Sequence, residues 1–172
     1  MLDASKAFDR VQYCKLFHKF IGRKLPAVII RFLLNMYTHH RTHVLWNGRV
    51  SHWFNLSNGV KQGGVLSPIL FCVYIDGLLI SLCTAGLDCH IGHMFVGALA
   101  YANDLVLLAP TPHATCLMLQ FCEEYAKDHD VLLNADKSKC IISRPRGVAS
   151  GDNLNHDICF SISGNIIENV EC

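Results

Sequence analysis

Apolar residues recur along the first forty positions at spacings of three and four. Val11, Cys14, Phe17 and Ile21 predict an amphipathic helix over residues 10–24. Ile29, Ile30, Leu33, Leu34 and Tyr37 predict a second, with Pro26 as its first-turn residue. The period then shortens. Segments 42–46 and 50–56 flank Asn47-Gly48, the strongest short signal for a β-hairpin. Gly63-Gly64 marks a turn, after which Ser67 is placed to cap and Pro68 to open a third helix reaching about Ala85. Residues 94–100 and 105–109 predict strands on either side of a turn, Tyr101-Ala102-Asn103-Asp104. Thr111 and Pro112 open a fourth helix that ends near Asp128. Short strands at 131–133 and 139–143, a loop over 144–157 and a last hairpin (158–162 and 166–170) complete the pattern. Helices and strands interleave and the strands form tight hairpins, so the fold class is α+β rather than a doubly wound parallel sheet.

Length and composition narrow the class. At 172 residues the chain amounts to one domain, or one with a short annex. Hydrophobic residues make up 51% and charged ones 17%, enough apolar material for a core, which excludes disorder and collagen-like repeats. A net charge of +1 carries no nucleic-acid signature. The distribution says more: no Lys or Arg lies between Gln62 and Ala126, while Asp76, Asp88, Asp104, Glu123 and Glu124 all do. Such a segment suits either a core that needs no Lys or a scaffold that presents carboxylates to a cation. The longest apolar run, 65–82, contains Ser67, Pro68 and Asp76 and reads as a buried helix, since a membrane span needs ~20 predominantly apolar residues. Asp3, Lys6 and Asp9 break the first apolar stretch, so no secretory signal is expected.

The nine cysteines are scattered and odd in number, which is no disulfide framework. Cys72, Cys83, Cys116 and Cys122 fall inside apolar helical patterns, predicting free buried thiols and a reducing, intracellular compartment, with nothing to separate nucleus from cytoplasm. Cys89, His90 and His93 lie close together but lack a second ligand pair at zinc spacing. His39, His40 and His43 read as solvated surface.

Two acids stand where chemistry is expected. Asp3 follows an apolar residue at what reads as a strand's end, and Asp104 sits in the turn between two apolar strands. Taken singly, Asp104 suits a turn and Asp3 a helix cap. Brought together, they suit a pair of metal ions about 3.5–4 Å apart that clamp a phosphoryl displacement.

Four ordered blocks give the pattern a name. LDASKAFDRV (2–11), GVKQGGVLSPILF (59–71), YANDLVLLA (101–109) and LLNADKSKCIIS (132–143) resemble the reverse transcriptase domain of retrotransposons lacking long terminal repeats. The resemblance implies a right-hand polymerase palm, an antiparallel sheet backed by helices, which agrees with the α+β reading. It also implies templated nucleotidyl transfer from dNTPs to a primer 3′-hydroxyl with two Mg2+ ions, and RNA template, DNA primer and dNTPs as partners. No membrane and no protein partner is implied. By the same resemblance Asp3 and Asp104 are metal-binding carboxylates, and Phe8 is the bulky residue on which the incoming sugar packs. Gln62, Gly63 and Gly64 line the template and nucleotide pocket, where glycine permits close backbone approach, and Tyr101 borders it. Lys137, or Lys139, assists pyrophosphate departure.

The hairpin departs from the family where it matters most. The family pattern is aromatic, Ala, Asp, Asp, and here Asn103 stands at the principal ligand position. An amide oxygen coordinates a hard cation but brings no charge. Losing merely a partner of a ligand costs about 10–100-fold in affinity or activity, so little or no polymerisation is expected. The family also has an upstream finger region and a thumb. The expected organisation is therefore a partial palm over residues 1–143, then a linker and partial hairpin over 144–172 leading to a thumb. Such a palm, incomplete at both ends, would be a marginally stable remnant of a mobile element. The alternative is a non-catalytic nucleic-acid-binding or interaction remnant. In it Arg41, Arg49 and Lys61, with Lys137, Lys139, Arg144 and Arg146, contact phosphates, each contributing roughly −0.9 to the salt slope.

Overall fold

Leu2 and Ala4 alternate with Asp3 and Ser5, so the first strand has one apolar and one polar face, and the rest of the architecture follows from covering the apolar one. The computed structural model describes residues 1–87, 89–143 and 159–170; Asp88 and the expected loop with Arg144 and Arg146 lie outside them. Strand β1 (Leu2–Ser5) leads through a 3-10 turn, Phe8–Arg10, to helices α1 (Tyr13–Gly22) and α2 (Ala27–Thr38). Four two-residue strands follow: β2 (Arg41–Thr42), β3 (Leu45–Trp46), β4 (Arg49–Val50) and β5 (Phe54–Asn55). Helix α3 (Ser67–Ala85) comes next, then a small hairpin of β6 (His90–Ile91) and β7 (Met94–Phe95) that the sequence pattern does not announce. Strands β8 (Ala98–Tyr101) and β9 (Asp104–Leu107) precede α4 (Pro112–Asp128). The chain continues with β10 (Leu132–Asn134), β11 (Lys139–Ile141), β12 (Ser161–Ile162), β13 (Asn165–Ile166) and β14 (Glu168–Val170).

The central sheet has the order β10-β1-β9-β8, and every neighbouring pair is antiparallel. Helices α3 and α4 cover one face, where Leu2, Ala4, Ala98 and Leu105 are buried. Two core clusters result. One gathers Val11, Leu16, Phe20 and Tyr37 against Phe71 and Tyr74 of α3. The other packs the sheet and the far half of α3 against Met118, Leu119 and Cys122 of α4. Each large side chain fully buried in this way contributes about 1.5–3 kcal/mol. Helix α3 has the length and apolarity of a membrane span, yet Leu70, Phe71, Tyr74, Ile75, Leu78 and Leu82 are all buried in these clusters.

Polar contacts fix the helices to one another. Arg10 pairs with Asp130 at 2.5 Å and Lys15 with Asp128 at 2.8 Å, joining the start of the chain to the end of α4. The Tyr74 hydroxyl donates to the His129 carbonyl and the Tyr125 hydroxyl to the Tyr74 carbonyl, both at 2.6 Å. Buried phenols need such acceptors.

Several expectations are corrected here. Ser67 does not cap α3: it is the helix's first residue, and its hydroxyl donates back to the Lys61 carbonyl. Thr111 does cap α4, its Oγ1 accepting the Ala114 N–H at 3.1 Å. Among the four helical cysteines only Cys122 is buried, and burial pushes its thiol up to about 12; Cys72, Cys83 and Cys116 are exposed. Cys72 and Cys83 occupy the solvent side of α3, which is apolar all round, a place the sequence pattern could not distinguish from core; Cys116 lies on the exposed side of α4. The final hairpin is shorter than expected, because Glu168–Val170 leaves β13 to pair in parallel with Lys139–Ile141. Phe160, Ile162 and Ile167 thereby enter the second core cluster.

Candidate active site

The register of the sheet brings the two sequence-distant acids together. Asp3 pairs with Asp104 across β1 and β9, with Asn134 on its other side, and Asp104 pairs with Tyr101. Residues directly opposite in antiparallel strands share a face, so Asn134, Asp3, Asp104 and Tyr101 form one row on the side away from the helices. Asp3 thus lies inside a strand paired on both sides, not at a strand's end, and Asp104 opens β9 instead of occupying the turn. Both acids are half-buried and Tyr101 is exposed. Among the described residues neither carboxylate has a hydrogen bond or an ion pair.

The turn itself is Ala102-Asn103. A positive φ of 52° at Ala102 alone matches the two-residue type II′ pattern, whose first position favours glycine. An alanine there costs about 1–2 kcal/mol, strain of a kind that collects at functional sites. The Asn103 carbonyl accepts the Ala4 N–H at 3.3 Å, tying the tip to the strand that carries Asp3. Among the described residues no group of three His, Cys, Asp or Glu side chains converges. The acids of the row number two, and Asn103 at the hairpin tip carries an amide in place of a third. Two unpaired carboxylates side by side suit a hard divalent cation, which takes oxygen ligands. Without one, they repel. Asp3→Asn is therefore expected to raise the melting temperature in EDTA by about 1–3 °C, given a few tenths of a kcal/mol for opposed like charges. A thermal melt with and without chelator checks this.

A second turn braces the row from behind. The Asn134 side-chain oxygen accepts the Asp136 and Lys137 N–H groups at 3.1 and 3.4 Å. Ser138, fully buried, donates its hydroxyl to the Asn134 carbonyl at 2.6 Å and accepts the Asp3 N–H at 3.2 Å. The Lys137 ammonium is left exposed with no partner among the described residues, whereas Lys139 pairs with Glu168. Of the two lysines, Lys137 is the one free to meet an anion. Sequence reasoning passed over Ser138 and Asn134, although both lie in the fourth block, because a buried Ser signals nothing until its partners are known. Ser138→Ala removes the acceptor of the Asp3 N–H, while the Asn134 carbonyl keeps the Ser138 N–H at 3.0 Å, and is expected to cost about 1 kcal/mol, lowering Tm by roughly 3 °C. Urea denaturation measures it.

The remaining predicted residues form a separate group. Phe8 is half-buried, its ring meeting Phe71 edge to face at a centroid distance of 5.4 Å. The Val60 N–H donates to the Phe8 carbonyl at 2.7 Å and the Gly59 N–H to Val11 at 2.8 Å, holding the glycine-rich segment against the Phe8–Arg10 turn. Tyr13 adds a hydroxyl bond to the Gly59 carbonyl at 2.9 Å, and burial pushes its phenol up. Lys61 to Gly64 closes as a turn through the Gly64 N–H, with Gly63 at a φ of 78° that glycine adopts freely. Gln62 and Gly63 are exposed. Gln62 and Gly64 line a cavity of 630 Å³ with Asp9, Tyr13, Tyr37 and Leu66. Asp3 and Asp104 are not on its wall. The chain therefore presents an acidic row and a glycine-turn pocket as neighbours of one core, with Phe71 touching Phe8 and lining a crevice beside Asn103 and Asp104.

Comparison with known proteins bears on the same residues. The family model described as reverse transcriptase (RNA-dependent DNA polymerase) matches residues 1–154. The retrovirus-related Pol polyprotein from type-2 retrotransposable element R2DM of Drosophila melanogaster is 33% identical over 136 residues, 79% of this chain and 13% of that protein. The corresponding polyprotein of the type-1 element R2 of Popillia japonica is 28% identical over 164 residues, 94% of this chain and 23% of the relative. That of Nasonia vitripennis is 33% identical over 111 residues, 64% of this chain and 11% of the relative. The chain thus spans less than a quarter of the length of these relatives. Its match to the family model takes in all four motif blocks, and on that ground the chain belongs to the reverse transcriptase (RNA-dependent DNA polymerase) family.

Proposed function

We propose that the chain is the palm of an RNA-directed DNA polymerase from a retrotransposon lacking long terminal repeats, its activity impaired by Asn103. The observation that carries this reading is the register that sets Asp3 beside Asp104, both without a partner among the described residues, at the mouth of a hairpin whose tip bears Asn103. The family uses a divalent metal, and the two carboxylates would hold it. A magnesium pair held there would polarise the phosphoryl oxygens and would favour an ionised primer 3′-oxygen. That oxygen attacks the α-phosphorus of a dNTP, and pyrophosphate leaves.

The chain's own residues supply position and charge. Asp3 and Asp104 provide two anionic ligands; Asn103 offers an amide oxygen without charge. Phe8 walls the sugar, held by Phe71 so that a ribose 2′-hydroxyl meets a ring instead of space. The Lys61–Gly64 turn lets template and nucleotide approach backbone closely, with Gln62 as its polar edge and Tyr101 bordering the nucleotide from the acidic row. Lys137, whose ammonium has no carboxylate partner among the described residues, would give a proton to the departing pyrophosphate. On this reading residues 1–143 form the palm, and residues 159–170 pack onto it through Phe160, Ile162 and Ile167 and the pairing of Glu168–Val170 with Lys139–Ile141.

Primer extension by the whole 172-residue chain tests the proposal, with an RNA template, a DNA primer, dNTPs and magnesium. Templated product is expected from the Asn103→Asp protein and from none that also carries Asp3→Ala. Product that survives Asp3→Ala would sink it.

A further inference from the structure

No acid occurs from Arg10 to Ile75, a stretch that carries nine Lys or Arg and five His. Three of those cations are neutralised by acids from elsewhere in the chain: Arg10 by Asp130, Lys15 by Asp128 and Arg23 by Asp76. Arg41 and Arg49 have no ion-pair partner among the described residues, and both stand on one hairpin. Its outer rungs pair Arg41 with Asn55 and Thr42 with Phe54; its inner rungs pair Leu45 with Val50 and Trp46 with Arg49, around Asn47-Gly48. His52 and Trp53 together oppose His43, a bulge that re-aims the side chains there.

Both tryptophans of the protein lie on this hairpin, Trp46 at 79% and Trp53 at 63% exposure, and neither belongs to a core cluster. Trp46 stands directly across from Arg49, so indole and guanidinium share a face. Trp53 meets the His43 ring edge to face at 4.3 Å. Two solvated indoles beside unpaired guanidinia call for an occupant with flat apolar faces and negative charge. A second copy would bring like charge to like. A duplex hides its base faces. A single strand of nucleic acid offers phosphates to the arginines and bases to the rings.

We propose that residues 41–55 form a stacking platform for single-stranded nucleic acid, with bases on Trp46 and Trp53 and phosphates against Arg41 and Arg49. The hairpin's foot, Thr42 and Leu56, borders the same 630 Å³ cavity as Gln62 and Gly64, so a strand held there continues toward the glycine turn. This deepens the polymerase reading and rests on it in one respect, that the strand is the one to be copied.

Tryptophan fluorescence, excited at the red edge where tyrosine does not absorb, reports on this hairpin alone, because it holds both tryptophans. The whole chain is titrated with a labelled oligouridine of about 15 nucleotides, following indole quenching and the anisotropy of the label. Quenching is expected, with affinity falling as salt rises. Trp46→Ala and Arg49→Gln are each expected to weaken binding about five-fold or more with unchanged circular dichroism. Parent-like affinity in both variants, or equal binding and quenching by a duplex of the same length, overturns the platform. So does quenching that appears with protein concentration and no oligonucleotide. Extension by the Asn103→Asp protein is scored separately. Binding that depends on Trp46 in a protein that does not extend supports the platform and counts against the polymerase reading. Extension with binding indifferent to Trp46 does the reverse.

Discussion

An Asn103→Asp protein is expected to extend a primer on an RNA template at least about 100-fold faster than the parent chain in magnesium. The magnitude follows from what the substitution changes. Asn and Asp are nearly the same size, and the Ala102-Asn103 turn is fixed by its backbone, with the Asn103 carbonyl bonded to the Ala4 N–H. The backbone geometry is therefore retained while one full negative charge is added at the hairpin tip, one residue before Asp104. Mutating a mere partner of a metal ligand typically costs 10–100-fold, and a ligand's own charge is worth more. A second readout is independent of turnover. Three carboxylates without a cation repel more than two, so the variant should melt below the parent in EDTA. Magnesium should then raise its Tm more than the parent's, by the linkage that stabilises any state binding a ligand, about 2.7 kcal/mol at a hundred times the dissociation constant. Equal extension by the two proteins, or equal magnesium shifts, would show that Asn103 is not the lesion.

Motif blocks made the acids visible, but their meeting depends on pairings that leave no local trace. Asp3 and Asp104 are joined through register, and a slip of one residue would turn either side chain toward the helices. Local signals served better where the chemistry is local. Asn47-Gly48 does turn the hairpin, and Thr111 does cap α4. They failed where a residue's role depends on a distant partner. Ser67 has a capping residue's identity yet donates to Lys61, and Ser138 looked like an ordinary polar residue until its bond to Asp3 was seen. Cys72 and Cys83 fail for a related reason: α3 is apolar on every side, so hydrophobicity does not mark which side is buried. The parallel pairing of Glu168–Val170 with Lys139–Ile141 likewise needed a contact that neither segment encodes alone.

Gly59→Ala is expected to be the most damaging small substitution in the glycine-rich segment, at roughly 3–5 kcal/mol. Gly59 sits at a φ of 90°, and a Cβ there would lie 2.8 Å from the Asp9 carbonyl oxygen and 3.0 Å from Asp9 Cα. These are backbone atoms of a turn that is itself pinned, so they cannot swing aside as a side-chain end would. Relief requires residues 59–60 to lift from residues 8–11. That strains the bonds from Gly59 to Val11, from Val60 to Phe8 and from Tyr13 to Gly59, each worth about 1 kcal/mol net, and it loosens Val60, which is 3% exposed. Gly63 is the control. Its φ of 78° is equally unfavourable for alanine, but nothing lies within 4 Å of the added carbon. Gly63→Ala should therefore show only the backbone strain, about 1–2 kcal/mol. In a chain of this size the two Tm losses should differ by roughly 5–10 °C, measured by calorimetry. Equal losses would mean that conformation alone, not the close approach of Asp9, demands glycine at position 59. The larger loss would show that the pocket loop is held in place by the same turn that carries Phe8.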